Sequence, residues 1–578
     1  MSVRAKTILG LLVLALLSAF LGTGLFAFIQ KHAGLGTPLP EILGLCLAGG
    51  LFVLAARRLR LLPMAHETGR DGPSRWMWVL VLYAILLKVL YLDLPDLVPE
   101  EAYYWVYAQH PALAYLDHPP LVAWGILAGT HLFGNSEFGV RLFTLLCWLA
   151  TIGFLAGLAG HLHGKRTRLP ALLLGSLMPY PFMFGFFATP DAPLMASWAG
   201  ALYFIERAYI GNKRSAWWGF GLCTGLGMLS KYSFALLGPS LILVLLLDRE
   251  NRRWLLRPEP WLATLLALVV FSPVLIWNDQ NDWASFTFQG SRRLQERPEF
   301  KFHELLGFIV ALLTPLGVVA ASSAIRRRED WCHDGDTDAH LARRRRLLIL
   351  VSVAVPLSVF LVFSLSHRTK MSWTGPIWLA LVPVFAAQIA KAPERALWGI
   401  HWLRPRLWIP LMALLAVFYG GMMAYMSTGL PLIPYPSRTV KPVAWEEMGK
   451  EIDRILDDLE KTEGKEPLLI GIDRHFITSE VSFYRGGTPK VMRTTRTERV
   501  YGGNGTMYEY WFPQRPAPGS VLMLVSFEKD RLQDARIRKH VEDLGPIREQ
   551  SVTKRGKPAG GFYYRIGRGY DPHGRQGQ

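Results

Sequence analysis

The sequence predicts an all-α polytopic membrane protein that carries a small α/β domain at its C-terminal end. Three observations support this fold class. Hydrophobic residues make up 51% of the 578 residues, which is high for a protein that is soluble as a whole. Apolar windows long enough to cross a bilayer recur as far as about residue 429. Beyond that point the pattern changes to a charged helix and short β-like runs.

The membrane spans are predicted from the thickness of the bilayer. A hydrocarbon core of about 30 Å requires about 20 apolar residues of helix, and about thirteen windows meet that requirement. The first window follows the short basic start "MSVRAK" and lacks a convincing A-x-A cleavage site, so we expect a retained helix. The windows lie at approximately 7–29, 41–57, 75–92, 138–161, 169–187, 192–210, 215–230, 232–248, 260–277, 303–324, 347–366, 372–390 and 407–427.

The charge distribution predicts the orientation and narrows the function. The formal net charge is +18, but Lys and Arg cluster at the ends of apolar runs, where membrane orientation accounts for them. We therefore do not expect nucleic-acid binding. A cytoplasmic N-terminus places most of these cations inside and, with an odd number of spans, places the chain after Gly429 outside. Four scattered cysteines without C-x-x-C spacing predict neither a disulfide framework nor a zinc site.

Three parts follow from these patterns. Residues 1–74 hold two N-terminal spans and a basic cytoplasmic loop, and residues 75–429 form the membrane core, with a first large outer loop at 93–137. Residues 430–578 form the outer α/β domain, which opens with the Pro-rich connector "GLPLIPYPSRTVKP" and contains β-like runs such as "PLLIGI" and "SVLMLVSF". The outer loop 278–297 is amphipathic and is either a lid or an interfacial helix.

The first outer loop carries the strongest functional signal. Its stretch "LVPEEAYYWVYAQHPALAYLDHPPLV" holds three acids and two histidines but no Lys or Arg. Neighbouring side chains on a helix diverge by about 100°, so Glu100 and Glu101 are not expected to act on one substrate atom. We expect one to face a reaction centre and the other to hold the loop. The alternative is that both are first-turn acids favoured by the helix dipole after Pro99.

Two further acids are candidates. Asp117 and His118 precede a double proline that restricts the backbone, so the pair is held rigidly and could grip an anion or orient a base. Asp191 lies between two prolines at the mouth of a span, on the same predicted face as Glu100. The alternative is a turn or helix-capping role for each acid.

Basic and aromatic residues are predicted on the same face. Lys231, Arg368 and Lys370 lie at outer turns, where they would suit a phosphate, and Lys88 in the third span could reach the same region. The alternative for these cations is snorkelling to lipid headgroups. Tyr103, Tyr104 and Trp105 would supply flat surfaces for a sugar or prenyl chain, or belong to an interfacial aromatic belt.

Five motifs in order resemble a known family. The stretches "PEEAYYW", "LDHPPLVAW", "TPDAPL", "LSKYSFALL" and "TKMSWTGPIWLAL", within about residues 75–400, are similar to bacterial glycosyltransferases of the protein O-mannosyltransferase and aminoarabinose transferase-like family. The resemblance implies a GT-C fold, a catalytic acid in the first large outer loop and a polyprenyl-phosphate sugar donor. The two spans before residue 75 depart from the shorter family layout.

The resemblance also implies roles for individual residues. Glu100 takes the position of the catalytic base, where the family usually has Asp, and Glu101 takes that of its companion, with Asp117 as a third catalytic acid. Tyr103, Tyr104, His118, Asp191, Lys231, Arg368 and Lys370 are expected to bind substrate. Aminoarabinose transferases have a lysine where this chain has His118, which argues against aminoarabinose as the sugar.

The expected reaction is an inverting single displacement. A carboxylate takes the proton of an acceptor hydroxyl while cations stabilise the departing lipid phosphate. We expect no cofactor and no metal, because the branch of the family that the chain resembles generally needs none. The acceptor would be lipid A or lipopolysaccharide, another glycan, or a protein, at the periplasmic face of a bacterial inner membrane. A lipid flippase or transporter is the alternative, although transporters usually place charges near the midplane and show repeated halves. A receptor or assembly scaffold that binds through the outer domain also stays open.

Overall fold

The structure is a computed structural model in which a helical bundle carries a C-terminal mixed sheet. The bundle is built from many hydrophobic helices, which confirms the predicted fold class. The described residues are 3–33, 39–58, 72–290, 298–332, 339–430, 433–435, 443–497 and 506–574. The predicted lid at 278–297 is therefore described only as far as Gly290.

The bundle consists of consecutive helices, most of them joined by short connections. The first thirteen are α1 (Val3–Ala33), α2 (Leu39–Arg58), α3 (Gly72–Tyr91), α4 (Pro99–Gln109), α5 (Leu121–Phe133), α6 (Glu137–His163), α7 (Arg168–Leu177), α8 (Pro179–Phe184), α9 (Asp191–Tyr209), α10 (Ala216–Ser230), α11 (Leu237–Leu247), α12 (Pro258–Gln280) and α13 (Ala284–Gln289). The bundle continues with Phe302–Arg326, Ala339–Ser364, Met371–Trp378, Val382–Lys391 and Trp408–Thr428.

Eight described segments are long and apolar enough to cross a membrane. They coincide with eight of the thirteen predicted windows, and the other five windows also contain helix. Some of these five are short or broken: α7 and α8 are separated at Met178, whose extended backbone precedes Pro179. The eight segments are Thr7–His32, Ser74–Tyr91, Glu137–His163, Pro258–Gln280, Phe302–Arg326, Ala339–Ser364, Met371–Lys391 and Pro405–Thr428.

The two N-terminal helices pack against each other and against the core. Gly22 of α1 meets Gly44 of α2 so closely that an added Cβ at Gly22 would lie 2.5 Å from the carbonyl oxygen of Gly44. The α1 helix also contacts α3, because the Tyr91 hydroxyl donates a hydrogen bond to the carbonyl of Phe20 at 2.8 Å. Small residues at such a crossing let the two backbones approach and gain dispersion contacts. The α1 helix is therefore part of the bundle.

The C-terminal sheet contains six described strands, β1 (Leu468–Gly471), β2 (Thr495–Arg496), β3 (Leu522–Ser526), β4 (Val541–Leu544), β5 (Arg548–Lys554) and β6 (Lys557–Tyr570). Their order in the sheet is β2-β1-β3-β6-β4, and β5 also pairs with β6. The strands β1, β2 and β3 are parallel neighbours, and β6 runs antiparallel to β3, β4 and β5. The helix Trp445–Glu463 precedes the sheet, and shorter helices at Phe476–Tyr484, Pro489–Thr494, Tyr508–Trp511 and Ala535–His540 connect its strands.

The C-terminal domain is joined to the loop before α4 by a buried aspartate. One Asp96 oxygen accepts a hydrogen bond from the backbone amide of Trp445 at 2.8 Å, and the other accepts from Lys554 Nζ at 3.0 Å. Asp96 therefore caps the first helix of the domain and pairs with a lysine of β5. Asp96 and Lys554 are both buried, so their charges depend on each other.

The helix Phe476–Tyr484 packs against α4 and brings an acid into this interface. The side chain of Glu480 is fully buried, and neither carboxyl oxygen has a hydrogen-bond partner in the described residues. Its charged neighbours are Asp96, Glu101, Arg141 and Glu100. Burial raises the pKa of Glu480 well above its ordinary value, the acids Asp96 and Glu101 raise it further, and Arg141 opposes them.

We predict that Glu480 makes the stability of the protein fall at high pH. An acid whose pKa is higher in the folded chain holds its proton there, so its contribution is complete below the unfolded pKa of about 4.3 and is lost as pH rises through the folded pKa. Glu480→Gln keeps the shape without the ionisation and should flatten this pH dependence of the apparent melting temperature in detergent. Asp457→Asn, on the exposed face of the helix Trp445–Glu463, is the control. An unchanged pH dependence in Glu480→Gln would contradict the prediction.

Candidate active site

A cavity of about 520 Å³ lies where the loop ends of several helices meet. The first turns of α4 and α9, the end of α10 and the start of the helix Met371–Trp378 all contribute to it. Its charged and polar lining includes Glu100, His118, Asp191, Lys231, Gln289 and Lys370. Its aromatic lining includes Tyr104, Phe184, Phe187, Tyr232, Phe360 and Trp373.

The first turn of α4 separates the two adjacent acids. Pro99 is the first residue of the helix, and the carboxylate of Glu101 accepts a hydrogen bond from the backbone amide of Val98 at 3.0 Å. The next-door side chain of Glu100 instead lines the cavity, and the described residues give it no hydrogen bond or ion pair. The two acids therefore face different surroundings, as the helix geometry predicted.

Glu101 forms a buried ion pair with Arg141 of α6. Arg141 Nε and Nη2 donate to the two oxygens of Glu101 at 2.8 and 2.7 Å, and both side chains are fully buried. The same carboxylate accepts from the backbone amide of Ala188 at 2.8 Å. Glu101 thus ties α4 to α6 and to the segment that leads into Asp191.

The remaining donors of Arg141 hold the segment before α4. Nη1 donates to the carbonyls of Leu92 and Pro95 at 3.1 and 2.7 Å, and Nη2 donates to the carbonyl of Asp96 at 2.9 Å. A planar guanidinium with five donors can satisfy several fixed acceptors at once, which lysine cannot do. The path of the chain into Glu100 is therefore set by α6.

Asp191 and Lys231 form a second pair inside the cavity. Lys231 Nζ lies 2.9 and 3.1 Å from the two oxygens of Asp191 and 3.5 Å from Ser372 Oγ. Asp191 is the first residue of α9, and Lys231 follows the last residue of α10. Since these consecutive helices run back along each other, the start of one and the end of the other meet. The pairing of a first-turn acid with a lysine from α10 follows from this hairpin.

Lys370 and His118 complete the polar side of the cavity. Lys370 immediately precedes the helix Met371–Trp378 and lies near enough to Asp117 to oppose the rise in the pKa of that carboxyl group. The His118 ring lies edge-on to Tyr104, with 5.6 Å between ring centres. Burial, and then the negative charges of Asp117 and Glu100, raise the pKa of Tyr104 well above its usual value. Tyr104 therefore keeps its proton and lines the cavity as a neutral ring.

Asp117 lies beside the cavity without lining it. Its carboxylate accepts hydrogen bonds from the hydroxyls of Tyr107 and, at 3.4 Å, Tyr103, and its backbone carbonyl accepts from the Gln289 side chain. The surrounding protein excludes water and raises the pKa of Asp117, although the Tyr107 hydroxyl opposes this. The Asp117 carboxylate therefore faces tyrosine hydroxyls and does not line the cavity, although the next residue, His118, does.

Five predicted residues lie elsewhere. Trp105 is fully buried, and its ring nitrogen donates a hydrogen bond to Asn135 Oδ1 at 3.0 Å. Glu101 is enclosed by Arg141, and Tyr103 is buried against the C-terminal domain, where its ring stacks on His475 with 3.9 Å between centres. Arg368 is exposed and paired with Glu304 at 3.0 Å. Lys88 is buried under the rings of Trp148 and Phe182 and donates to the carbonyl of Phe182 at 2.7 Å. Apolar packing and nearer partners hold these side chains away from the cavity.

Sequence reasoning missed several residues that build the site. Arg141 is the most important, and the available signal was a lone arginine at the start of an apolar window, which requires a partner. Gln289, Tyr232 and Trp373 also line the cavity. Their side chains carry no distinctive spacing in the sequence, so only the folded chain identifies them.

The arrangement can transfer a proton and stabilise an anion in one enclosed space. Glu100 supplies a carboxylate, while Lys231 and Lys370 supply cations across the same cavity. The aromatic lining reduces the water around these charges and strengthens their interactions. Asp191 is already neutralised by Lys231, so Glu100 is the better candidate for a base.

Comparisons with known proteins match parts of the chain to glycosyltransferases. Residues 117–277 match a family model described as "Dolichyl-phosphate-mannose-protein mannosyltransferase". The lipopolysaccharide core galacturonosyltransferase RgtA of Rhizobium johnstonii is 26% identical over 395 residues, which cover 63% of this chain and 74% of RgtA. The lipid A galacturonosyltransferase RgtD of the same organism is 31% identical over 220 residues, which cover 35% of this chain and 43% of RgtD.

The fold has a solved counterpart. The crystal structure of ArnT from Cupriavidus metallidurans superposes with a TM-score of 0.58 at 17% identity, covering 85% of this chain and 98% of ArnT. ArnT bound to undecaprenyl phosphate gives the same TM-score at 16% identity. The helical core and the C-terminal sheet therefore belong to the GT-C architecture. In sequence and fold the chain resembles the multi-pass membrane glycosyltransferases of the protein O-mannosyltransferase and aminoarabinose transferase-like kind.

Proposed function

We propose that the protein moves a sugar from a polyprenyl-phosphate donor to an acceptor hydroxyl of the cell envelope, and that Glu100 is the base. The proposal rests on the different surroundings of two adjacent acids. Glu101 is held by Arg141, while Glu100 lines a cavity with Lys231 and Lys370. This arrangement offers a base and a phosphate-binding pair at a fixed separation, which single displacement requires.

The reaction balances as one substitution at the anomeric carbon. The bond from that carbon to the lipid phosphate oxygen breaks while a bond to the acceptor oxygen forms, and Glu100 takes the acceptor proton. The polyprenyl phosphate leaves with the electron pair of the broken bond. Attack opposite to the leaving group inverts the anomeric configuration. General base catalysis of this kind contributes typically about 10²–10⁴-fold to the rate.

The cations would act on the leaving group. Lys231 and Lys370 would stabilise the negative charge that grows on the departing phosphate, and His118 would donate a further hydrogen bond. Asp191 keeps the Lys231 ammonium in place. Tyr104 and the phenylalanines of the lining would pack against the sugar ring and the first isoprene units.

The relatives indicate which donor and acceptor to test first. Two of them are named galacturonosyltransferases, acting on lipopolysaccharide core and on lipid A, and ArnT has been crystallised with undecaprenyl phosphate. A third relative, from Pseudomonas savastanoi, transfers 4-amino-4-deoxyarabinose and is 27% identical over 229 residues, which cover 36% of this chain and 41% of that protein. We favour a polyprenyl-phosphate uronic acid as donor and lipid A or core lipopolysaccharide as acceptor.

We place the cavity and the C-terminal domain on the periplasmic face of the inner membrane. The distribution of Lys and Arg supports this orientation, because the Arg clusters at 326–328 and 343–346 lie at the opposite ends of their helices from Lys370. A periplasmic cavity would meet the finished lipid-linked donor and the envelope acceptor on one side.

Glu100→Gln should abolish transfer without disturbing the fold. The amide cannot accept the proton, so we expect kcat to fall by about 10²-fold or more. The measurement is transfer of radiolabelled sugar from a polyprenyl-phosphate uronic acid to lipid A by purified protein in proteoliposomes. Glu549→Gln, at an exposed position of β5, is the matched control. Full activity of Glu100→Gln would remove Glu100 from the base role.

The Asp191–Lys231 pair gives a second prediction. Lys231→Met alone leaves a buried acid unpaired, so the informative variant is Lys231→Met with Asp191→Asn, which removes both charges together. We expect turnover to fall by about 10²-fold, because the leaving phosphate loses a cation. Wild-type turnover in the double variant would mean that Lys231 only neutralises Asp191.

Activity should not require a divalent metal. Two of the three acids at or beside the cavity already have other partners, because the Lys231 ammonium lies on Asp191 and tyrosine hydroxyls lie on Asp117. Glu100 is then a single carboxylate, and the described residues hold no group of three or more Asp, Glu, His or Cys side chains that could bind a metal ion. We expect equal turnover before and after dialysis against EDTA, with metal content checked by mass spectrometry. Loss of turnover that added Mg²⁺ or Mn²⁺ restores would overturn this prediction.

A further inference from the structure

The loop-side end of α1 reaches the segment that leads into Glu100. Lys31 Nζ lies 2.9 Å from one oxygen of Glu137 and 3.2 Å from Asp93 Oδ2, and it also donates to the Asp93 carbonyl. His32 Nε2 lies 2.8 Å from the same Asp93 oxygen. The last turn of α1 therefore pairs with acids at the end of α3 and the start of α6.

A second contact continues from Glu137 toward the base. The other oxygen of Glu137 accepts a hydrogen bond from the Tyr484 hydroxyl at 3.1 Å. The Tyr484 oxygen in turn accepts from the backbone amide of Leu97 at 2.7 Å. Leu97 precedes Glu100 by three residues in the sequence. Consecutive polar contacts therefore join Lys31 to the chain just before the base.

Burial makes these contacts matter energetically. Asp93 and Glu137 are 2% and 7% exposed, and Asp93 Oδ1 also accepts from the backbone amide of Phe138 at 2.8 Å, which caps α6. Without Lys31, two neighbouring carboxylates would share little solvent and repel each other. Arg141 lies one turn after Glu137 on α6, so a shift there would also disturb the pairing with Glu101.

We propose that α1 is part of the catalytic apparatus and that Lys31 is a positioning residue, which sets Glu100 through Glu137, Tyr484 and Leu97. This proposal rests on the function proposed above for Glu100. It assigns a role to α1, the first of the two helices before residue 75. Because the contacts end at Leu97, three residues before Glu100, and not at the lysines that would hold the donor phosphate, Lys31 should affect turnover more than donor binding.

Kinetics of Lys31→Met test this separation. We expect kcat to fall about tenfold while KM for the donor stays within about twofold, since a misplacement of about 1 Å in a reacting group can cost about 10²-fold. Lys31→Arg keeps the charge and should restore most of the rate. Thr23→Val is the matched control on α1, because within the described part of the chain the Thr23 hydroxyl bonds only to the Ala19 carbonyl of its own helix.

A double-variant cycle tests the route through the C-terminal domain. Tyr484→Phe removes one hydroxyl and should lower kcat in the same way as Lys31→Met. The double variant should then be no slower than the slower single variant, because both changes interrupt one series of contacts. Multiplicative losses would mean that Lys31 and Tyr484 act separately and would overturn the proposed route.

Hydrogen–deuterium exchange in nanodiscs tests the positioning without any sugar donor. The amide of Leu97 should exchange faster in Lys31→Met and in Tyr484→Phe, and at the wild-type rate in Thr23→Val. If no donor supports transfer by the wild type, the proposed function fails while this measurement still decides the positioning role. Wild-type exchange across residues 92–101 in Lys31→Met would overturn the inference.

Discussion

The buried pair of Arg141 and Glu101 is the interaction on which the site depends. Both side chains are fully buried, and a charge in such surroundings is tolerated only when its partner and remaining hydrogen bonds are supplied. Arg141 meets that requirement through one carboxylate and three backbone carbonyls, and Glu101 also receives two backbone amides. Satisfying this one pair fixes the segment before α4, the helix itself and the approach to Asp191. Glu100 then has a single position at the cavity.

The surroundings of this pair come from all three parts of the chain. The N-terminal helix contributes Lys31, the core contributes Asp93 and Glu137, and the C-terminal domain contributes Tyr484 and Lys554. Most of these groups are buried, and the acids among them exceed what Arg141 alone can balance. The C-terminal domain and α1 therefore supply cations that balance the negative charges of these acids. A segment held from several sides loses little freedom when a substrate binds, which suits the alignment-dependent reaction proposed for Glu100.

Particular residues show how far the sequence led. Helix periodicity separated Glu100 from Glu101, and the structure places only Glu100 at the cavity. The hairpin of α9 and α10 brings together Asp191, which is the first residue of α9, and Lys231, which follows the last residue of α10. Tyr103, Arg368 and Lys88 were expected at the cavity but have nearer partners in His475, Glu304 and the rings around Lys88. The spacing of residues along the chain does not reveal which of several possible partners a side chain will contact after folding.

The sequence alone determined the class of the protein. A bilayer requires long apolar helices and an uneven distribution of basic residues at their ends, and both features are visible in the sequence. The motifs also contained the acids and lysines that line the cavity, Glu100, Asp191, Lys231 and Lys370. Tertiary structure decided which of them share one space. That choice depends on contacts between residues far apart in sequence, such as Glu101 with Arg141 and Leu97 with Tyr484, whose free energy arises only when the helices have packed and water has left.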